Sequence, residues 1–137
     1  MRWRIAIRDW DQVYMMAAEA LTEKDEMDEI VDRIVKTIHP QKIVLFGSRA
    51  RNQARPDSDI DILVIAESDE PRYKRSRVLY GALHNMRTPI DVIVYTPEEV
   101  IDWSQVRQAF VTTALREGKV LYENQSRHDQ RLVQEGQ

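Results

Sequence analysis

Asp59, Asp61 and Asp91 ask for a chemical explanation, because each stands in or against a run made otherwise of Ile, Leu and Val. A lone carboxylate is expensive to hold in such surroundings. Strand side chains alternate between faces, so Asp59 and Asp61 point the same way, roughly 6.5 to 7 Å apart at Cα, while Ile60, Ile62 and Val64 point the other way. One face is expected to pack and the other to carry charge. Asp91 lies in a second apolar run, Ile90 to Val94, and neighbouring strands are about 4.8 Å apart. If these two strands pair, three carboxylates converge, and they repel one another unless a cation sits among them. Oxygen-only ligands suit magnesium, or manganese. Two such ions about 3.5 to 4 Å apart polarise both the attacking and the leaving oxygen of a phosphoryl or nucleotidyl transfer.

Gly47-Ser48 is the second constellation, placed where the run Lys42 to Phe46 ends. A strand that turns sharply through glycine exposes backbone N–H groups, a natural seat for phosphate oxygens, and Ser48 adds a hydroxyl donor. No Gly-Lys-Ser/Thr follows, so this is not a Walker A loop, and one glycine does not make a dinucleotide fingerprint. Ten residues separate Ser48 from Asp59, a distance expected to let a short helix cross from the first strand and return to the second.

The elements that must position these residues fit one domain, because 137 residues with 42% hydrophobic and 31% charged content can bury a single core. Met27, Ile30, Val31, Ile34, Val35 and Ile38 recur at helical spacing, with Thr22 and Asp25 as a capping box, and Pro40 stops the helix. Strands are expected at Lys42 to Phe46, Asp59 to Ala66 and from Ile90, after Pro89. A helix lies between Pro71 and Met86, capped by Ser68 or Asp69. Thr96-Pro97-Glu98-Glu99 starts another, Ser104 precedes a last one that stops at Gly118, and Lys119 to Tyr122 adds a short strand. The expected class is therefore α/β (α+β), a small mixed sheet flanked by helices. Residues 22–123 form the domain, 124–137 a polar disordered tail, and 1–21 an extension of unassigned role. In that extension Arg2, Arg4 and Arg8 interleave with Trp3, Ile5 and Ile7, as in an edge strand or a docking arm.

Several classes fall away. There is no run of eighteen apolar residues and no signal peptide, so a cytoplasmic protein away from the membrane is expected. Zero cysteines exclude disulfides and thiolate zinc, and His39, His84 and His128 are scattered. A net charge of -3 gives no general drive toward nucleic acid. Arg49, Arg51 and Arg55, then Arg72, Lys74, Arg75 and Arg77, form local basic clusters, the second read as a solvated face or a partner surface. Tyr73, Tyr80 and Tyr95 read as core and rim fillers or as modification sites.

Gly47-Ser48, ten intervening residues, Asp59-Ile60-Asp61 and the later Asp91 together resemble the nucleotidyltransferases of the DNA polymerase beta superfamily. The stretch GSRARNQARPDSDIDILV is most similar to their minimal nucleotidyltransferases, and the resemblance covers roughly Asp25 to Glu123. It implies a polymerase beta palm-like fold, with two Mg2+ ions (Mn2+ as a substitute) bound by Asp59, Asp61 and Asp91. It also implies the triphosphate of ATP or another nucleoside triphosphate at Gly47 and Ser48, with Arg49 or Arg51 beside it. Many such members are similar to antitoxins that transfer AMP from ATP to a tyrosine of an all-helical HEPN ribonuclease toxin. Asn52 departs from the family's usual glycine, a change asparagine's tolerance of left-handed angles should absorb.

Alternatives stand beside this. Asp-x-Asp alone reads more readily as an exposed edge strand; joined to Gly47-Ser48 and Asp91 it does not. Arg77 and His84 match the spacing of the HEPN ribonuclease motif, but Val78 follows the arginine and the pair lies between two expected strands, so His84 reads as a packed or capping residue. The acceptor could be a small molecule such as an aminoglycoside, which the lack of a substrate domain disfavours, or the chain could bind a partner without catalysis. Self-association is left open.

Overall fold

The computed structural model describes residues 2–55 and 57–124. The elements run α1 (Arg2–Ile38), β1 (Lys42–Phe46), β2 (Ile60–Ile65), α2 (Arg72–Arg75), α3 (Arg77–Ala82), β3 (Ile90–Tyr95), α4 (Pro97–Trp103), α5 (Phe110–Glu117) and β4 (Lys119–Glu123). The fold is α+β, and by internal packing the chain divides into Met1–Ile30 and Val31–Gln137. The first unit is helical, whereas the second carries the sheet and every candidate site residue.

The edge strand considered for the Arg2 to Arg8 alternation is instead part of α1. No glycine or proline occurs before Pro40, and Ala, Met and Leu are dense between Met15 and Leu21, so helix propensity overrides the short Arg/apolar alternation. Thr22 and Asp25 consequently lie within the helix rather than at its start. The helix ends where expected: His39 takes a left-handed φ of 47° and Pro40 prevents continuation. Among the described residues no helix is long and apolar enough to cross a membrane.

Val31–Gln137 is built on a four-stranded sheet in the order β3-β2-β1-β4. β2 is antiparallel to β1 and parallel to β3, and β4 pairs antiparallel to β1 with a bulge at Ile43/Val44. Among the described residues no helix crosses between β1 and β2. One turn closed by Arg51 N–H to Gly47 O (3.3 Å) and Gln53 N–H to Ser48 O (2.9 Å) suffices, because antiparallel neighbours need no crossover.

Register puts residues of matching parity on one face. Val44, Leu63 and Ile93 form a row across three strands, and Val44 and Leu63 are packed with Tyr95 beneath Val111 and Ala114 of α5. The face that carries the aspartates therefore packs as well, contrary to the expected division into an apolar and a charged face. Phe46, Asp61 and Asp91 form its end row, where Phe46 is partly buried against the cluster and the two aspartates carry the charge. On the opposite face Ile43, Ile60, Ile62, Val64, Val92 and Val94 are buried.

The helix expected between Pro71 and Met86 is split at Ser76 into α2 and α3, and Pro71 rather than Ser68 or Asp69 occupies the N-cap, without a side-chain cap. Thr96 and Glu99 form the expected capping box of α4. Ser104 caps the end of α4, so α5 begins later, after Ala109. Gly118 ends α5 with ordinary backbone angles; it is required because a Cβ there would meet Ala114 O, Val44 and Leu45 O. Of the expected tail, Asn124 is tied to Gln41 O at 2.9 Å, and 125–137, with His128, lies outside the described residues.

Candidate active site

β2 and β3 do pair, and Asp61 and Asp91 are direct register partners. Asp61 is half-buried, while Asp59, just before β2, and Asp91 are exposed. Burial pushes the Asp61 carboxyl up, the charges of Asp91 and Asp59 push it further, and Arg49 opposes them. The three carboxylates thus share one electrostatic neighbourhood at the end of the sheet.

Gly47 completes that neighbourhood. Its φ of 76° is left-handed, and a Cβ on it would run into Asp61 Oδ2. Only glycine lets the loop after β1 pass this close to the carboxylate. Asn52 supplies a second left-handed residue at φ 57°, as expected for asparagine, and its N–H bonds Arg49 O. Arg49 turns inward: its guanidinium donates from Nη2 to Ser58 O at 2.6 Å, tying the two ends of the β1–β2 connection, while Nε is buried with no partner among the described residues. Arg51 lines a small cavity of about 170 Å³ with Gly47 and Phe110.

Residues that the sequence did not single out for the site surround Asp91. Tyr80 Oη donates to Asp91 Oδ1 at 3.0 Å and accepts from Val92 N–H at 3.0 Å. Because β3 is an edge strand, this also occupies a ladder donor that would otherwise face outward. Burial pushes the Tyr80 phenol up. Farther along the same edge Arg75 donates to Val94 O and to Glu99, and Arg72 also pairs with Glu99. Two members of the second basic cluster therefore carry structural ion pairs, Arg75 largely buried and Arg72 still partly solvated. Burial acts to raise the Glu99 carboxyl, but Thr96 N–H and the two arginines outweigh it and bring it down to about 2. His84, the other half of the decoy motif, bonds Gly81 O at 2.9 Å near the end of α3, a capping role.

A groove of about 540 Å³ opens beside Asp91, lined by Phe46, Arg72, Tyr73, Ile93 and Phe110 among others. Phe46 and Phe110 meet edge to face at 5.1 Å, and Arg72 lies 4.1 Å over the Tyr95 ring. Apolar and aromatic side chains dominate its lining, with Arg72, Ser76 and Asp91 as its polar members. No local sequence signal points to this groove, because residues 46, 73, 93 and 110 meet only in the fold.

The donor set at the sheet end suits a hard divalent cation in type: all oxygen, negatively charged, with Asp61 destabilised as an anion by its neighbours. Among the described residues no three such side chains close on a common point, so what fits is the chemistry of the donors.

The family model described as "Polymerase beta, Nucleotidyltransferase" matches residues 28–127. No curated protein matches the chain. The solved structure titled "Crystal structure of the toxin-antitoxin with AMP-PNP" is similar at 23% identity over 79% of this chain and 82% of that one, with a TM-score of 0.48.

Proposed function

From the premise that this chain belongs to the polymerase beta nucleotidyltransferase family, we propose that it transfers AMP from ATP to a tyrosine hydroxyl of a protein partner, a HEPN ribonuclease toxin, and so acts as an antitoxin. The observation that carries the reading is the end row of the sheet, where Asp61 faces Asp91 and glycine alone fits against Asp61.

In this reading Asp59, Asp61 and Asp91 hold magnesium, which when bound neutralises phosphate charge and acts as a Lewis acid. Gly47 and Ser48 seat the phosphates through backbone N–H groups and the serine hydroxyl. Arg49 holds the loop in shape through Ser58 and offsets part of the carboxylate charge at Asp61. Asp91 orients the acceptor hydroxyl and takes its proton. The acceptor oxygen attacks the α-phosphorus and pyrophosphate leaves. Support for an aromatic acceptor comes from the groove, whose mainly apolar and aromatic lining includes Asp91. Support for the HEPN partner is the likeness of residues 47–64 to minimal nucleotidyltransferases.

The test is transfer of label from α-labelled ATP, GTP, CTP and UTP with magnesium, using the neighbouring gene product as acceptor. Wild type is compared with Asp59→Asn/Asp61→Asn. Label moving from ATP to a tyrosine of the partner, and lost in the variant, is the expected result. Binding and neutralisation without transfer, equal in both proteins, would leave a non-catalytic module, and transfer to a small molecule alone would replace the acceptor.

A further inference from the structure

We infer that Tyr80 is an acceptor within the chain itself, so that the protein nucleotidylates its own Tyr80 in cis. The inference rests on the nucleotidyltransferase reading of Asp91 and adds to it a substrate that the fold already supplies.

An acceptor in this chemistry needs a hydroxyl hydrogen-bonded to the carboxylate that takes its proton. Tyr80 has that relation without any partner present, its hydroxyl donating to Asp91 Oδ1 at 3.0 Å. The oxygen is held in place by Val92 N–H at 3.0 Å, which uses one lone pair and leaves the other for attack. Access is open, because Tyr80 is 44% exposed and Asp91 is exposed as well. Other tyrosines of Val31–Gln137 differ: Tyr95 is buried with Arg72 over its ring, Tyr73 lines the groove wall at 72% exposure, and Tyr122 sits on β4, the strand farthest from β3.

The step balances with a nucleoside triphosphate as co-reactant. A bond forms between Tyr80 Oη and the α-phosphorus, the bond from that phosphorus to the bridging oxygen breaks, pyrophosphate leaves, and the phenolic proton passes to Asp91. The product no longer donates from Tyr80 to Asp91, so one turnover per chain removes a hydrogen bond from the acceptor-side carboxylate.

The experiment incubates the full chain alone with α-labelled ATP, and separately GTP, CTP and UTP, plus magnesium, and locates the label by peptide mapping. Label is expected on Tyr80, with a fraction labelled per unit time that does not change on dilution, and its loss is expected in Tyr80→Phe. A parallel arm adds the neighbouring gene product. Label on that partner with none on Tyr80 overturns self-modification and leaves the transferase standing; label on neither, with no pyrophosphate released, overturns both. Label on Tyr80 that falls on dilution would mean transfer between chains and would overturn the geometry argued here. Undiminished self-label in a folded Tyr80→Phe protein, judged by its thermal melt, would do the same.

Discussion

Asp61 and Asp91 face one another across the parallel β2–β3 ladder, with Phe46 opposite Asp61 on its other side. Two like charges as direct neighbours in a sheet are destabilising, and burial of Asp61 adds to the cost. Asp61→Asn is therefore expected to raise the melting temperature in metal-free buffer while lowering nucleotidyl transfer more than about 100-fold, beyond the range of an outer-shell ligand partner. Magnesium should stabilise wild type by as much as about 2.7 kcal/mol at a hundredfold excess over its Kd, and the variant far less. Thermal melts with EDTA and with magnesium decide it: equal stabilisation of both proteins would remove Asp61 from the ligand set.

Gly47 and Gly118 are both needed for space, yet their loss should have different signatures. At Gly47 the backbone is left-handed and the obstructing atom belongs to Asp61. Gly47→Ala should cost about 1–2 kcal/mol of stability and also displace a site carboxylate, so transfer falls more than stability accounts for. At Gly118 the obstacles are Ala114 O, Leu45 O at 2.8 Å and a Val44 methyl, on the covered part of the same sheet face. Gly118→Ala should cost about 1–3 kcal/mol through overpacking, with kcat of the folded fraction retained. Urea titrations paired with initial rates separate the two; equal kcat losses would show that the Gly47 loop has no special hold on the site.

How far the site was legible follows from which signals are local. β1 matched its expected bounds, and β2 and β3 lay where expected, because KIVLF, IDILVI and IDVIVY are short β-branched runs between turn residues. The Asp61–Asp91 pairing was legible because each is an isolated carboxylate in an apolar run, and the two runs are neighbours in the sheet. Asn52 behaved as its side chain allows. What escaped depends on packing between distant segments: Tyr80 on Asp91, Arg75 on Glu99, and the meeting of Phe46 with Phe110 have no period in the sequence. The helix from Arg2 escaped for another reason, since a few residues of Arg/apolar alternation imitate a strand even in a chain segment free of helix breakers.

Glu99 ties α4 to α2, accepting from Thr96 N–H within its capping box and pairing with Arg72 and Arg75. Its folded pKa of about 2 lies below the ordinary 4.5. The unfolded chain thus binds the proton more readily in that window, and stability rises with pH across it. The contribution is complete above about pH 4.5 and is lost as pH falls toward about 2. Glu99→Gln keeps an oxygen for Thr96 N–H but gives up both ion pairs. It should cost about 1–2 kcal/mol at neutral pH, kept modest because Arg72 is 41% exposed and screened by solvent. Denaturant midpoints for wild type and variant should converge as pH is lowered through this window. A gap that stays constant down to pH 2.5 would mean that Glu99 acts through its shape in the cap and not through its charge.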